Sequence, residues 1–250
     1  MSCFTYENHR IYFECYGAGE PLILLHGNTA SSRMFEPVIP ALAQKYMVIT
    51  MDFLGCGQSD RLTCWPADLW FEWAKQVHAL CSHHGFERVN LVGTSGGALA
   101  AINAALEYPH LVRAVVADSF AGIAADPDIT GQIQAGRAAA KQIDGFRAYQ
   151  QSIHGDDWER VLDADTDAVV RHASEIGRYF HQPLSALQVR MLLTGSAEDE
   201  MFPKDHHERL FQNICRQTAL AQAHVFAHGG HPAMLSNARE FAALLDRFLA

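Results

Sequence analysis

The chain has 250 residues, a length that one α/β domain with an inserted subdomain fills. Hydrophobic residues at 49% and aromatics at 10% supply a sizeable core and exclude a disordered chain. A net charge of −9 without any run of basic residues excludes a nucleic-acid partner, which needs a positive face.

The opening segment MSCFTYENHRIYFECYG has no basic leader ahead of an apolar run, so no signal peptide is expected. No stretch approaches eighteen uninterrupted apolar residues, so no membrane association is expected and a cytoplasmic location is the default. Cys3, Cys15, Cys56, Cys64, Cys81 and Cys215 are scattered without paired spacing, which favours reduced thiols over disulfides. The absence of close Cys-x-x-Cys pairs argues against a structural zinc.

Along the chain, FTYENHRI and IYFECYG alternate apolar and polar residues, as an antiparallel pair at a sheet edge would. PLILLHG, YMVITMD, VNLVG and VRAVVADS are short continuous apolar runs, the pattern of strands buried on both faces. Between them, MFEPVIPALAQKY, LWFEWAKQVHALCSHHG and ALAAINAALEYP have helical spacing, the second closed by Gly85. This alternation predicts a mostly parallel sheet with helices on both faces. From about Phe120 to Ala186 the buried strands stop and only helix-like segments remain, such as IQAGRAAAKQI, FRAYQQSI and DAVVRHASEIGRYF. The alternation resumes with VRMLLTGS, HHERLFQNI, AQAHVFAHGG and NAREFAALLDRFLA. The expected organisation is therefore an α/β core over residues 1–119 and 187–250, with a helical cap over 120–186 inserted late in the sheet. A lid at the carboxyl ends of the strands would exclude water and shape a pocket.

The chemistry centres on Gly93-Thr94-Ser95-Gly96-Gly97, which follows a strand and opens a helix. A nucleophile on a sharp strand-to-helix turn needs small neighbours, and the turn aims Ser95 at a helix N-terminus that favours negative charge. GTSGG also looks like the GDSGG of chymotrypsin-like proteases, but those are all-β and place His and Asp before the Ser. His26-Gly27-Asn28 ends an early strand, where a second oxyanion donor is wanted: Asn28 is the choice beside Gly96, with Thr29 as fallback. His26 itself reads as a hydrogen-bonded structural histidine. Asp52-Phe-Leu-Gly55-Cys-Gly57-Gln-Ser59-Asp60 lacks the third glycine of a dinucleotide fingerprint and reads as a tight turn held by Ser59 and Asp60.

HGN, DxxGxGxSD and GxSxG, in this order and on these elements, resemble the α/β-hydrolase superfamily over essentially the whole chain. The resemblance implies a triad acid after a late strand and a histidine before the last helix, in the order Ser, Asp, His. Asp199 in GSAEDEMFP and His231 in AHGGHPAM match those places, and Gly230 precedes His231 as the family pattern has it. Asp118, Glu198 and Glu200 stay open as alternative acids, and His228 as an alternative base. The other histidines, His83-His84 and His206-His207 included, read as solvated helix positions. HGN followed by TASS is similar to the haloalkane dehalogenases, but those and the epoxide hydrolases use a carboxylate nucleophile where this chain has Ser95.

The resemblance implies acyl transfer to water without cofactor or metal, by a serine hydrolase whose default substrate is a small carboxylic ester. Carbon–carbon hydrolases of vinylogous diketones share these motifs and are the alternative; they would need an arginine beside the nucleophile helix or lid, for which Arg137, Arg147, Arg171, Arg178 and Arg190 are available. A non-catalytic small-molecule receptor on the same fold is a third reading. Phe35, Phe120 and Trp158 are the expected substrate-binding aromatics. A small molecule is the expected partner, and exposed apolar lid residues would permit a homodimer.

Overall fold

In the computed structural model, which describes residues 2–250, eight strands form one sheet. They are β1 (Ser2–Tyr6), β2 (His9–Tyr16), β3 (Glu20–Leu25), β4 (Tyr46–Met51), β5 (Val89–Thr94), β6 (Val112–Asp118), β7 (Arg190–Ser196) and β8 (Ala221–Phe226). Their spatial order is β1-β2-β4-β3-β5-β6-β7-β8. The first two strands pair antiparallel at one edge and β2 meets β4 antiparallel; every later pairing is parallel. The alternating N-terminal segment and the continuous apolar runs thus adopt the edge and central positions their patterns predict.

Among the described residues, nine α-helices flank the sheet or interrupt it: α1 (Ile39–Leu42), α2 (Leu69–His84), α3 (Gly96–Glu107), α4 (Pro127–Ala140), α5 (Asp144–His154), α6 (Trp158–Glu175), α7 (His206–Gln217), α8 (Ala233–Ser236) and α9 (Ala238–Leu249). Strand side chains alternate between two core layers. Ile23, Leu25, Val115 and Ala117 join α2, α3 and α7 in one layer, whereas Leu22, Leu24, Ala114 and Val116 join α1 and α9 in the other. The prolines of MFEPVIPALAQKY shorten the expected helix to a 3-10 turn over Ser32–Phe35 and the brief α1. Helix α2 ends at Gly85, whose φ of +67° places it in the left-handed region and whose N–H closes onto Ser82 O.

The segment between β6 and β7 carries α4, α5 and α6 and no strand of the sheet. Helix α6 begins earlier than DAVVRHASEIGRYF suggests, taking in Trp158, and stops before GRYF. This insertion is bolted to the core by Arg61, which donates to Asp157 at 2.9 Å, to the carbonyl of His154 at 2.6 Å and to the carbonyl of Gly57 at 2.9 Å. His154 reaches back in turn: Gly57 N–H donates to its Nδ1 at 2.9 Å, and its Nε2–H donates to Thr29 O at 3.2 Å. Burial pushes the His154 imidazole down to about 4, so it makes these bonds as a neutral ring. All six cysteines are free. Among the described residues, no helix is long and apolar enough to cross a membrane.

Candidate active site

Ser95 sits between β5 and α3 with φ +54° and ψ −122°, a conformation that costs roughly 1–3 kcal/mol for a residue with a side chain. It is held there by its N–H, which donates to Asp118 O at 2.8 Å. The flanking glycines permit the close packing: a Cβ on Gly93 would lie 2.1 Å from Gly97 O, and one on Gly97 would lie 2.1 Å from Leu25 O. The chain after β3 passes directly by the nucleophile, since a Cβ on Gly27 would lie 2.9 Å from Ser95 Cβ and 3.5 Å from its Oγ.

That loop carries Asn28. Its Oδ1 accepts from the Trp70 indole N–H at 3.0 Å, and its Nδ2 donates to both oxygens of Asp165, at 3.1 and 3.0 Å. Those partners fix which way the amide faces. The Thr29 N–H donates to Asp165 Oδ2 at 3.1 Å and is therefore occupied. Among the described residues the Asn28 N–H has no protein acceptor, and Gly96, first residue of α3, has no intrahelical one. Gly96 stands against Asn28, because a Cβ there would come within 2.1 Å of Asn28 Oδ1. An oxyanion needs two unengaged N–H groups, and of the two residues considered in this loop it is Thr29, not Asn28, whose N–H is already committed. His26 is wholly buried, its Nδ1–H donating to Gly27 O at 2.8 Å while its Nε2 accepts the Phe53 N–H at 3.1 Å. It holds backbone, as expected.

At the ends of the later strands, His231 Nδ1–H donates to Asp199 Oδ2 at 2.9 Å. Asp199 Oδ1 accepts the Met201 N–H at 3.0 Å. Burial alone would raise the Asp199 carboxyl, but hydrogen bonds from His207 and then His231 outweigh it and hold the group well below the usual carboxylate range. Asp118, the alternative acid, is enclosed elsewhere: Thr94 and Thr194 hydroxyls donate to it at 3.0 and 2.7 Å and the Met234 N–H at 3.1 Å. It anchors the loop after β8 and makes no hydrogen bond to the His231 ring. Glu198 and Glu200 meet that loop only through the N–H groups of Gly229 and His231, apart from a 3.6 Å approach of Glu198 to His228. His228 is exposed. Among the described residues the Ser95 hydroxyl makes no hydrogen bond to His231, a contact that commonly tightens only with substrate.

Two expectations are corrected. Phe35 and Phe120 retain no accessible surface: Phe35 packs with Val38, Leu42 and Phe241 in one core layer, and Phe120 packs near Phe211 in the other. Trp158 is buried at the start of α6. None of the three presents an open face to a ligand here. The second correction is His207, expected to be solvated; it is 2% exposed and donates from Nε2 to Asp199 Oδ2 at 3.1 Å. Asp165, by contrast, carried no expectation, because sequence reasoning passed over it. Its side chain is fully buried, and besides Asn28 and Thr29 it meets Arg137 Nη1 at 2.8 Å. Of the five arginines considered, Arg137 is the one brought to this loop; Arg147 and Arg171 pair with Asp144 and Asp167, Arg178 is exposed, and Arg190 lies over the Phe248 ring. Among the described residues no group of three or more His, Cys, Asp or Glu side chains is placed to hold a metal.

The family model of the alpha/beta hydrolase fold matches residues 20–149. The 2-hydroxymuconate semialdehyde hydrolase of Pseudomonas sp. (strain CF600) is 29% identical, over 94% of this chain and 88% of that protein. The 2-hydroxy-6-oxo-6-phenylhexa-2,4-dienoate hydrolase of Burkholderia cepacia is 27% identical, over 98% of this chain and 92% of its own. A solved serine hydrolase involved in carbazole degradation superposes with a TM-score of 0.78 at 22% identity, covering 99% of this chain and 97% of that one, a likeness of fold. With more than half its length matched by that model, on the sheet order and nucleophile turn described above, the chain belongs to the alpha/beta hydrolase fold family.

Proposed function

We propose that this chain is a serine hydrolase that cleaves a carbon–carbon bond next to a ketone in a conjugated, carboxylate-bearing substrate. The observation that carries the reading is chemical. The substrates printed in the names of the whole-length relatives are a muconate semialdehyde and an oxo-dienoate. Such compounds contain no ester or amide, so hydrolysis has only a carbon–carbon bond beside the carbonyl to act on. Arg137 supports the same reading, as the one cationic side chain that the insertion brings to the Asn28 loop through Asp165.

In this mechanism His231 takes the Ser95 proton as Oγ adds to the ketone carbon. The N–H groups of Asn28 and Gly96 receive the oxyanion, each worth about 3 kcal/mol when such a donor is lost. Asp199 holds the imidazole tautomer and stabilises its charge. Before collapse the 2-hydroxy-dienoate must become its keto tautomer, the hydroxyl proton being given up and one taken up at the carbon to be released. The carbon–carbon bond then breaks, the electron pair leaves as a dienolate conjugated with the new 2-oxo group, and His231 returns the proton to it. Water, deprotonated by His231, then attacks the acyl-Ser95 ester and releases the second acid. The insertion acts as the lid that excludes bulk water during these steps.

A small carboxylic ester is the second reading, and one observation favours it: Asp165 already neutralises Arg137, leaving no net positive charge for an anionic substrate. One experiment separates the two. The protein and its Ser95→Ala variant are assayed on a 2-hydroxy-6-oxo-dienoate, followed by loss of its visible absorbance, and on p-nitrophenyl esters of graded acyl length. Dienoate turnover that vanishes in the variant is the expected result. Ester turnover without dienoate turnover overturns the carbon–carbon assignment. Tight retention of either compound without turnover points to a receptor.

A further inference from the structure

Asp199 Oδ2 receives two ring N–H groups, from His231 at 2.9 Å and from His207 at 3.1 Å. We propose that His207 is a positioning residue of the catalytic relay, holding Asp199 in the orientation and charge state from which it serves His231. The inference rests on the reading of Asp199 and His231 as acid and base. His207 touches no reacting atom and acts only through the carboxylate.

Three features separate it from a casual core histidine. First, both members of the contact are sealed from solvent, with side-chain exposures of 2% for His207 and 1% for Asp199. Second, the ring is clamped in place: it stacks on Phe211 with centroids 5.4 Å apart, takes the edge of Phe202 at 5.4 Å, and lies over Gly195, where a Cβ would come within 2.6 Å of the ring. Third, its Nδ1 is buried with no partner. The tautomer carrying the proton on Nε2 is the one the surroundings satisfy, and Asp199 is the single polar group that tautomer meets.

With Oδ1 held by the Met201 N–H, the two histidines pin the remaining oxygen from two sides. The carboxylate cannot rotate away from His231 without losing a buried bond. A second donor on the same oxygen also disperses its charge. Asp199 therefore accepts from His231 strongly enough to orient it, yet binds the imidazolium less tightly than a singly bonded carboxylate would. The other titratable or charged groups around the pair are His206 and Arg209 on α7, Glu198 and Glu200 in the loop after β7, His228 beside Glu198, and Asp118 on β6.

The test compares the wild type with His207→Gln, which keeps an N–H near the Nε2 position, and His207→Leu, which keeps bulk and removes the donor. Low-field proton NMR of the ring N–H groups reads the carboxylate contacts without needing turnover. The pH dependence of Ser95 labelling by a fluorophosphonate reads the base. The wild type is expected to show two low-field ring N–H signals. His207→Leu loses one, moves the His231 signal downfield, and shifts the acid limb of labelling to higher pH by about one unit, as a more basic carboxylate demands. His207→Gln restores both the His231 signal and the acid limb to within a few tenths of a unit. If the Leu variant leaves the His231 signal and the acid limb where they were and only melts earlier, His207 is structural and the proposal fails. If Ser95 is never labelled, the hydrolase reading fails, and the NMR signals still decide the role of His207.

Discussion

Asn28 commits its side-chain amide at both ends, to Trp70 and to Asp165, and leaves its backbone N–H free beside Ser95. Gly96 is the residue that makes room for this. A methyl group at Gly96 would fall 2.1 Å from Asn28 Oδ1 and 2.7 Å from the Trp70 indole nitrogen, so Gly96→Ala must push Asn28 aside. The backbone of a helix N-terminus tolerates alanine, which confines the damage to the loop. Overpacking of this kind costs about 1–3 kcal/mol of stability. If Asn28 is the oxyanion donor proposed above, displacing it should lower kcat about a hundredfold. Steady-state kinetics with urea unfolding alongside checks both numbers. An unchanged kcat in a folded Gly96→Ala protein would remove Asn28 from the oxyanion hole.

Legibility also differs residue by residue. Ser95, Asn28, Asp199 and His231 sit at strand ends, where motif and position are read together, and the structure puts Asp199 on His231 and Asn28 beside Gly96. His207 was hidden by its neighbour: two adjacent histidines read as solvated, yet His207, Phe211 and Ile214 fall at i, i+4 and i+7 on the buried stripe of α7. The same periodicity would have exposed Asp165, which shares the buried face of α6 with Val161, Leu162, Ala168 and Val169. A charge on an apolar stripe needs a partner in the interior, and here the partners are on other elements. Phe35 and Phe120 misled for the opposite reason, since proximity in sequence to the nucleophile loops says nothing of which face the ring turns to.

At the scale of elements, polar contacts join the insertion to the core alongside a shared apolar layer, in which Val161, Ala168 and Val169 of α6 lie with Trp65, Leu69 and Trp70. Arg61 ties its α5–α6 corner to the turn after β4, and Asp165 ties α6 to the loop after β3. Asp165 also decides how much positive charge Arg137 shows to a ligand. Asp165→Asn keeps the shape and leaves Arg137 without its counter-charge. Breaking a buried pair in this way should destabilise the protein by roughly 3–5 kcal/mol. It should also raise kcat/KM for a carboxylate-bearing dienoate relative to a neutral p-nitrophenyl ester. A ratio that stays fixed, with stability measured in parallel by urea unfolding, would mean that Arg137 is a strut of the insertion and does not face substrate.

Across the whole molecule, the pH dependence of stability follows from which buried groups must change charge on unfolding. His154 bridges the insertion to the core as a neutral ring held down to about 4, whereas in the unfolded chain it titrates near 6.5. Between those values the unfolded state binds the extra proton, so stability rises with pH across the window and is lost as pH falls through it. The difference corresponds to about 3 kcal/mol. His26 is lowered by burial too and adds in the same sense. Asp199, depressed by its two histidines, contributes at still lower pH: its stabilisation is present above the ordinary carboxylate range and fades below it. Asp118 opposes them, because burial raises it and its protonation in the folded state adds stability as pH falls. The histidines act in the accessible range between pH 7 and 4, where urea unfolding should show a steady decline. His154→Asn removes one titrating ring from that sum and should flatten the decline while lowering stability at pH 7, since Gly57 and Thr29 lose their bridge. A decline that keeps its full steepness in the variant would transfer the effect to the other histidines lowered by burial, His26, His84, His172 and His206, and show that His154 does not set the acid limit of the fold.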